Sequence, residues 1–393
     1  MGLILNDLKN ACELEHVCDY VNNRTTSSMN YISTENMLPN KGGISESTII
    51  PPGTTTEYKI GDILISNIRP YFQKIWCADR CGGCSADVLC IRAKENTDSK
   101  YLYYLLSQQA FFDYVMSGAK GCKMPRGDKK QIMQWPVNIP AIDVQKKVVA
   151  ILSSLDNKIR LNRRINDNLE EQAKALFKSW FVDFEPFKGG KFVDSELGLI
   201  PKGWSTGTIY SYIDVIYGAP YKSALFNDKK QGLPLIRIRD LKTYTPQYYT
   251  KEVLPNTEYV ECGDIIAGMD AEFIPHIWRG EKGVLNQRLC KFVPKYDYVS
   301  KYYIYSLVYP KLAFVQSYKV GTTVSHLGKA DIDRFKVIVP PEDIIMQYSK
   351  IVNSYFAEIV KVSNENQILS SLRDTLLPKL MSGELSVEEV SLD

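Results

Sequence analysis

Histidine is scarce in this sequence: His16, His276 and His326 are the three in 393 residues, too few and too scattered for a metal cluster or a nucleophile–histidine triad. Long apolar runs are missing too, and no stretch approaches the ~20 residues of a membrane-spanning helix, so no membrane partner is expected. The opening "MGLILNDLKN" has no basic segment leading into an apolar one, and Asn6 stands where myristoylation requires Ser or Thr. Neither charge sign dominates. Lys and Arg number 48 against 45 Asp and Glu, a formal +3, so a nucleic-acid partner has to be met by local basic patches. Nine cysteines, odd in number and unevenly spaced, make no disulfide framework and fit a reducing compartment. These absences predict a soluble intracellular chain, long enough for two or three domains.

Catalytic signatures are absent as well. An amino-methyltransferase needs an N/D-P-P-Y/F tetrapeptide and a glycine-rich cofactor loop, and the two double prolines, "IPPG" at 50–53 and "VPPE" at 339–342, fit neither. No G-x-x-x-x-G-K-[ST] phosphate loop occurs. "EYK" at 57–59 is a nuclease-like fragment that reads as a strand edge. "CADRCGGC" at 77–84 is sharper: Cys77, Cys81 and Cys84 have the C-x3-C-x2-C spacing with which radical S-adenosylmethionine enzymes hold a four-iron cluster.

What the chain does have is a long internal repeat. "IGDILISNIRP" at 60–70 matches "CGDIIAGMDAE" at 262–272, an offset of 202 from Gly61 to Gly263. "KIW" at 74–76 echoes "HIW" at 276–278, and "SKYLYYLL" at 99–106 pairs with "SKYYIYSL" at 300–307. "GCKMPRGDKKQIMQWPVNIP" at 121–140 pairs with "GTTVSHLGKADIDRFKVIVP" at 321–340. Solenoid units run ~20–50 residues, so this period means two similar domains. On the 202 offset Cys77 falls on Arg279 and Cys81 on Gly283; at 200 Cys84 falls on Val284 and Cys90 on Cys290. The second copy therefore builds the same turn without thiols, which argues against a cluster.

Each copy ends in a heptad seam. After Pro140, with Asp143 as N-cap, come Val148, Leu152, Leu155, Ile159, Asn162, Asn166, Leu169, Ala173, Leu176 and Trp180 in steps of four and three. The second seam is Tyr348, Val352, Tyr355, Ile359, Val362, Asn366 and Leu369, then Leu372 and Leu376. At ~1.5 Å per residue, about 38 residues make a rod of roughly 57 Å. The two seams are expected to pair antiparallel, with mid-seam Asn162, Asn166 and Asn366 fixing register. The globular parts mix short β-runs ("DILISNI", "DVLCIRA", "PLIRIRDL", "GDIIAGM", "RLCKFV") with one or two aromatic helices in "YLYYLLSQQAFFDYV", and 188–204 reads as a glycine-containing linker.

"LNRRINDNLEEQAKALFKSWFVDFEP" at 161–186, "GLIPKGW" at 198–204, "GLPLIRIRDL" at 232–241, "GDIIAGMDAEF" at 263–273 and "LNQRLCKF" at 285–292 carry a resemblance. With "GTTVSHLGKADIDRFKVIVPP" at 321–341 and "RDTLLPKLMSGEL" at 373–385, they cover most of 140–393 and resemble the specificity subunit of type I restriction–modification systems. The resemblance implies a mixed α+β fold with a pseudo-two-fold repeat. Two target-recognition domains (1–141 and 188–341) are separated by two long antiparallel coiled-coil helices (142–187 and 342–393). It implies no catalysis and no cofactor in this chain, and double-stranded DNA, two methyltransferase subunits and motor-nuclease subunits as partners, in a prokaryotic cytoplasm beside the nucleoid. The alternatives are the radical enzyme and a DNA-binding scaffold of a related phage-defence system.

Arg reads guanine, Asn or Gln adenine, and Asp or Glu cytosine. "SNIRPYFQK" offers Asn67, Arg69, Tyr71, Gln73 and Lys74; the second copy offers Lys222, Arg237, Arg239, Asp270, Gln287 and Arg288, with Asp240 and Asn286 beside them. The loops 118–130 and 318–329 offer Lys120, Lys123, Arg126, Lys319 and Lys329 for phosphates. "RIRD" and "LNQR" fall in resembling stretches, which suits them to scaffolding or backbone contact. Leu176, Phe177, Trp180 and Phe181 exceed what a two-stranded seam buries, and read as a partner-subunit face or a satellite core.

Overall fold

The computed structural model describes residues 11–26, 30–45, 53–319 and 326–388; the opening segment and residues 320–325 of the second glycine-bearing loop lie outside these. The chain divides into two compact units, Met1–Asn157 with Ser371–Asp393, and Lys158–Ser370.

In the first unit the run "ILIS", Ile63–Ser66, is buried on both faces, as a continuous apolar strand must be. It lies between Val88–Ala93 and Ile75–Cys77 in a four-stranded antiparallel sheet completed by Cys18–Tyr20. Alternate side chains enter different cores. Ile63, Ile65, Ile75 and Ile91 meet the aromatic helices, whereas Leu64, Trp76, Val88 and Cys90 pack with Tyr58. The aromatic stretch forms two helices, Ser99–Leu106 and Gln109–Ser117. The first is capped by the Asp98 carboxylate, which accepts from the Lys100 and Tyr101 amides.

The second unit repeats this sheet in the same strand order: Ile213–Tyr217, Leu289–Pro294, Ile265–Gly268 and Pro275–Ile277. A second four-stranded sheet contains a parallel pair, between Leu233–Ile236 and Gly283–Leu285. The stretch read as a linker is instead partly a hairpin, Phe192–Ser195 paired with Gly198–Pro201. In both units a Gly-Asp turn precedes the central strand. Gly61 and Gly263 take φ of 89° and 92°, and the buried or half-buried aspartate that follows each pairs with basic side chains. Arg92 grips Asp62 with two bonds of 2.7 Å, and Lys301 lies 2.6 Å from Asp264.

Strand pairing corrects the register of the repeat. Ile63 faces Cys77 and Ile265 faces Ile277, so Cys77 is equivalent to Ile277, two residues from the match that "KIW" and "HIW" suggest. Tyr58 faces Gly82 while Val260 faces Gly283, which sets Cys84 against Leu285 and Cys81 against Lys282. Leu64 faces Cys90 and Ile266 faces Lys291, so the partner of Cys90 is Lys291, not Cys290. The connection before the fourth strand is two residues longer in the first copy, which takes the offset from 202 to 200 at Cys77, and one further residue in the second copy sets it at 201 for Cys81, Cys84 and Cys90.

The long helices are Ile142–Phe181 and Glu342–Ser382, of 40 and 41 residues. Asp143 lies inside the first turn of its helix rather than at the cap. Within the second unit Ile159, Ile359 and Val362 are buried, Leu169, Tyr355 and Leu369 half-buried. Asn162 Nδ2 donates to Asn366 Oδ1 at 3.0 Å and to Glu365 Oε2 at 2.7 Å, and Asn166 Nδ2 donates to Ser363 Oγ at 3.0 Å. Rising numbers on one helix meet falling numbers on the other, an antiparallel pairing. Within the first unit Leu152 is buried in the core with Leu377, Leu380 and Met381, Leu155 is half-buried, and Asp156 accepts from Arg373 at 2.9 Å.

Candidate nucleic-acid interface

In the first unit the chain leaves the central strand at Asn67 and turns through Arg69, whose φ is +51°. The turn Pro70–Phe72 follows, and Gln73 is again left-handed at +50°. This loop is bonded to the basic loop beyond the aromatic helices. Arg69 N donates to Pro125 O at 2.8 Å and Gly127 N to Asn67 O at 3.3 Å. Lys120 and Arg126 exchange backbone bonds of 2.9 and 3.0 Å, closing the loop on itself. A Cβ on Gly127 would stand 2.8 Å from Val115 Cγ1 and 2.9 Å from Asn67 Oδ1, so a larger residue there has to displace those side chains.

The second unit builds the same junction. Leu327 N donates to Met269 O at 2.7 Å, the equivalent of Gly127 on Asn67, and Ala271 is left-handed (φ +60°) where Arg69 is. Asp270 bridges to His326 as Ile68 bridges to Arg126. Shared backbone geometry therefore carries different side chains. Arg126 pairs with Asp87 at 3.1 Å in the first unit. In the second, Asp270 accepts from Arg288 at 3.1 Å and lies 2.7 Å from His326 Nδ1. Such a junction can present one hydrogen-bonding pattern per unit to base edges. The sequence reading missed Asp87 and His326; their signal was the register, in which Asp87 matches Arg288 and Arg126 matches His326.

Some candidates are committed inside the fold. Lys74 donates to Thr34 O at 2.7 Å, and burial lowers its pKa. Lys319 is held by Asp331 and by His326 O, at 2.6 and 2.8 Å. Arg237 is half-buried and stacked 4.2 Å over Tyr248, and burial lowers its pKa. Gln73 is tied to Gln109, while Tyr71 is 49% exposed. Lys123, Arg126, Lys222, Arg239, Gln287, Arg288 and Lys329 are exposed. Lys120 is exposed too but pairs with Asp128 at 2.8 Å, and that bond, with the Gln131 and Lys130 amides, holds the Asp128 carboxyl down at about 2.

Leu176, Phe177, Trp180 and Phe181, read as a partner-subunit face or a satellite core, lie against the core of the second unit. Phe181 is 7% exposed and the other three pack against the same core, with Tyr303, Tyr348 and Trp204 around them. Aromatic area beyond the seam is absorbed by the unit's own sheet and helices.

The cysteine spacing does not become a three-thiolate site. Cys77 packs against one core, Cys84 is buried in the other, and Cys81 is exposed. Cys77 ends the strand Ile75–Cys77, Cys84 ends the strand Gly82–Cys84, and Cys81 lies in the connection between them. Among the described residues no group of three His, Cys, Asp or Glu is arranged to hold a metal, and no helix is long and apolar enough to cross a membrane.

The family model for the type I restriction modification DNA specificity domain matches residues 10–171 and 201–370. The MjaIX type I restriction enzyme specificity subunit of Methanocaldococcus jannaschii is 28% identical over 325 residues, 76% of this chain and 71% of that one. The HindI specificity subunit of Haemophilus influenzae is 24% identical over 433 aligned positions, 90% of this chain and 94% of that one. A solved type I restriction–modification S subunit from M. genitalium aligns over 97% of this chain and 98% of its own, with a TM-score of 0.46 and 15% identity.

Proposed function

The chain belongs to the type I restriction modification DNA specificity family, and on that premise we propose that it reads a bipartite, asymmetric DNA site, one half with each copy of the loop junction. It is the non-catalytic recognition subunit of a complex that also contains methyltransferase and motor-nuclease subunits, the former modifying adenine. The observation that carries this reading is the duplicated junction: equivalent backbone bonds at Asn67–Gly127 and Met269–Leu327, with unlike side chains around them. Two unlike readers in one chain suit an asymmetric site, whereas two identical ones would suit a palindrome.

On this reading the first half-site meets Asn67, Arg69 and Tyr71, with Lys120, Lys123 and Arg126 on phosphates. The second meets Asp270, Gln287, Arg288 and His326, with Lys222, Arg239 and Lys329 on the backbone. Residues 1–141 and 188–341 are the target-recognition domains, and 142–187 and 342–393 the spacers. Helices of 40 and 41 residues are each about 60 Å long, more than one DNA turn of ~34–36 Å. The outward Leu161, Ile165 and Ile368, at 51, 43 and 69% exposure, offer apolar contact to partner subunits. The complex works where the host DNA is, in the cytoplasm at the nucleoid.

Methylation mapping of a host genome with and without this gene tests the proposal. A two-part adenine motif that disappears with the gene is expected, and its absence sinks the reading.

A further inference from the structure

Pairing register places Ser66 opposite Val88 and Gly268 opposite Leu289, and ends the connection at Ile75 in one copy and Pro275 in the other. The first copy therefore connects these strands through residues 67–74, the second through 269–274, two residues shorter. The short version turns its aromatic inward: Phe273 is fully buried and its amide donates to Gln316 Oε1 at 2.6 Å. The long version does the opposite. Pro70 is buried and Gln73 is tied to Gln109, while Tyr71 between them is 49% exposed. Two left-handed non-glycine residues, Arg69 and Gln73, bracket the turn, a backbone that persists only when its surroundings enforce it. Behind Tyr71 the Phe72 ring lies 4.6 Å away, tilted by 54°, which limits the directions the tyrosine can take. The neighbouring loop, bonded through Arg69 N to Pro125 O, carries the exposed Lys123 and Arg126.

An exposed planar ring on a rigid, inserted turn beside phosphate-binding cations has the chemistry of a wedge that enters a base step. We propose that Tyr71 inserts against the bases of the half-site read by the first unit, unstacking one step, and that no equivalent wedge acts in the half-site read by the second unit. This rests on the DNA-reading function proposed above. The ring supplies stacking area and its hydroxyl is dispensable. The energetic source is π-stacking, which tolerates any base, so Tyr71 contributes affinity and local distortion while neighbouring polar groups contribute sequence choice.

The test uses the full chain assembled with its methyltransferase subunits, on duplexes bearing 2-aminopurine at successive positions of the mapped motif other than the methylated adenines, whose extrusion by the methyltransferase would itself raise emission. Wild type and Tyr71→Phe should raise the probe's emission at one step of one half-site; Tyr71→Ala should abolish that rise and weaken binding roughly ten-fold or more. Lys123→Ala, a phosphate-contact control, should weaken binding while keeping the emission change. Unchanged emission and affinity in Tyr71→Ala overturn the proposal. So does a uniform loss of binding with no emission change in the wild type, which would make Tyr71 a backbone contact. A bipartite motif that survives alongside either result leaves the DNA-reading function standing, whereas no motif at all removes both.

Discussion

Asn162 and Asn366 meet inside the helix pair of the second unit, Nδ2 to Oδ1 at 3.0 Å, with Asn162 only 1% exposed. Asn162 also donates to Glu365, whose other carboxylate oxygen lies 3.4 Å from Lys158, so the acceptor left without its partner on truncation is the Asn366 amide oxygen. Truncating one member leaves polar groups buried without a partner, which costs about 1–3 kcal/mol. Asn162→Ala is therefore expected to destabilise the chain by that amount. Replacing both asparagines with leucine is expected to cost less than the two single substitutions together. A double-mutant cycle in urea checks it, and additive costs would contradict it.

Gly263 stands against the second long helix. A Cβ there would lie 2.7 Å from Val360 Cγ2 and 3.3 Å from Phe356, at a φ of +92° that strains any L side chain. Its counterpart Gly61 (φ +89°) would meet only Ser99, at 3.2 Å or more. Gly263→Ala should lower stability by more than ~1 kcal/mol and by more than Gly61→Ala, as read by thermal unfolding of both variants.

Three arginine and lysine positions should separate by readout. Lys123→Ala should weaken DNA binding about equally on all sequences and reduce the slope of log K against log salt by ~0.9. Arg288→Ala should relax base preference in one half-site, by about 1–3 kcal/mol at the base pair concerned. Arg237→Ala should lower stability, because it removes the guanidinium stacked on Tyr248. Anisotropy titrations across a salt series, a randomised-site methylation assay and unfolding curves distinguish the three.

The cysteines should divide by burial. Cys81 and Cys122 are exposed and should react with a thiol reagent in the native state. Burial pushes the thiols of Cys18 and Cys290 up from 9.0 to about 12, and that of Cys77 to about 11, so these should react only on unfolding. A thiol held protonated in the fold ionises first in the unfolded chain. The stability it contributes is thus complete below pH 9 and is lost as pH rises from 9 towards 12. Cys81→Ser should leave the methylation motif and rate unchanged; loss of the motif would bring a cysteine-based site back into consideration.

The two-fold repeat, the seams and the lack of catalytic motifs are local properties of the chain, and the sequence by itself determined them. Heptad spacing needs only side-chain order, and the Gly-Asp turns recur because a left-handed backbone favours glycine. Register was different. A two-residue insertion before Ile75 is invisible where "KIW" and "HIW" match by chance, and only hydrogen bonding between strands set Cys77 against Ile277. The same holds for direction. Arg237 and Arg288 look alike in sequence, yet one lies on an aromatic ring inside the fold and the other reaches Asp270 at the surface. Phe181 looked like surplus apolar area until Tyr303 and Tyr348, more than a hundred residues away, packed around it. Composition and spacing decide which elements form, because those depend on neighbours in the chain. Which side chains remain outside to meet DNA depends on contacts between distant residues, and only the tertiary structure decided that.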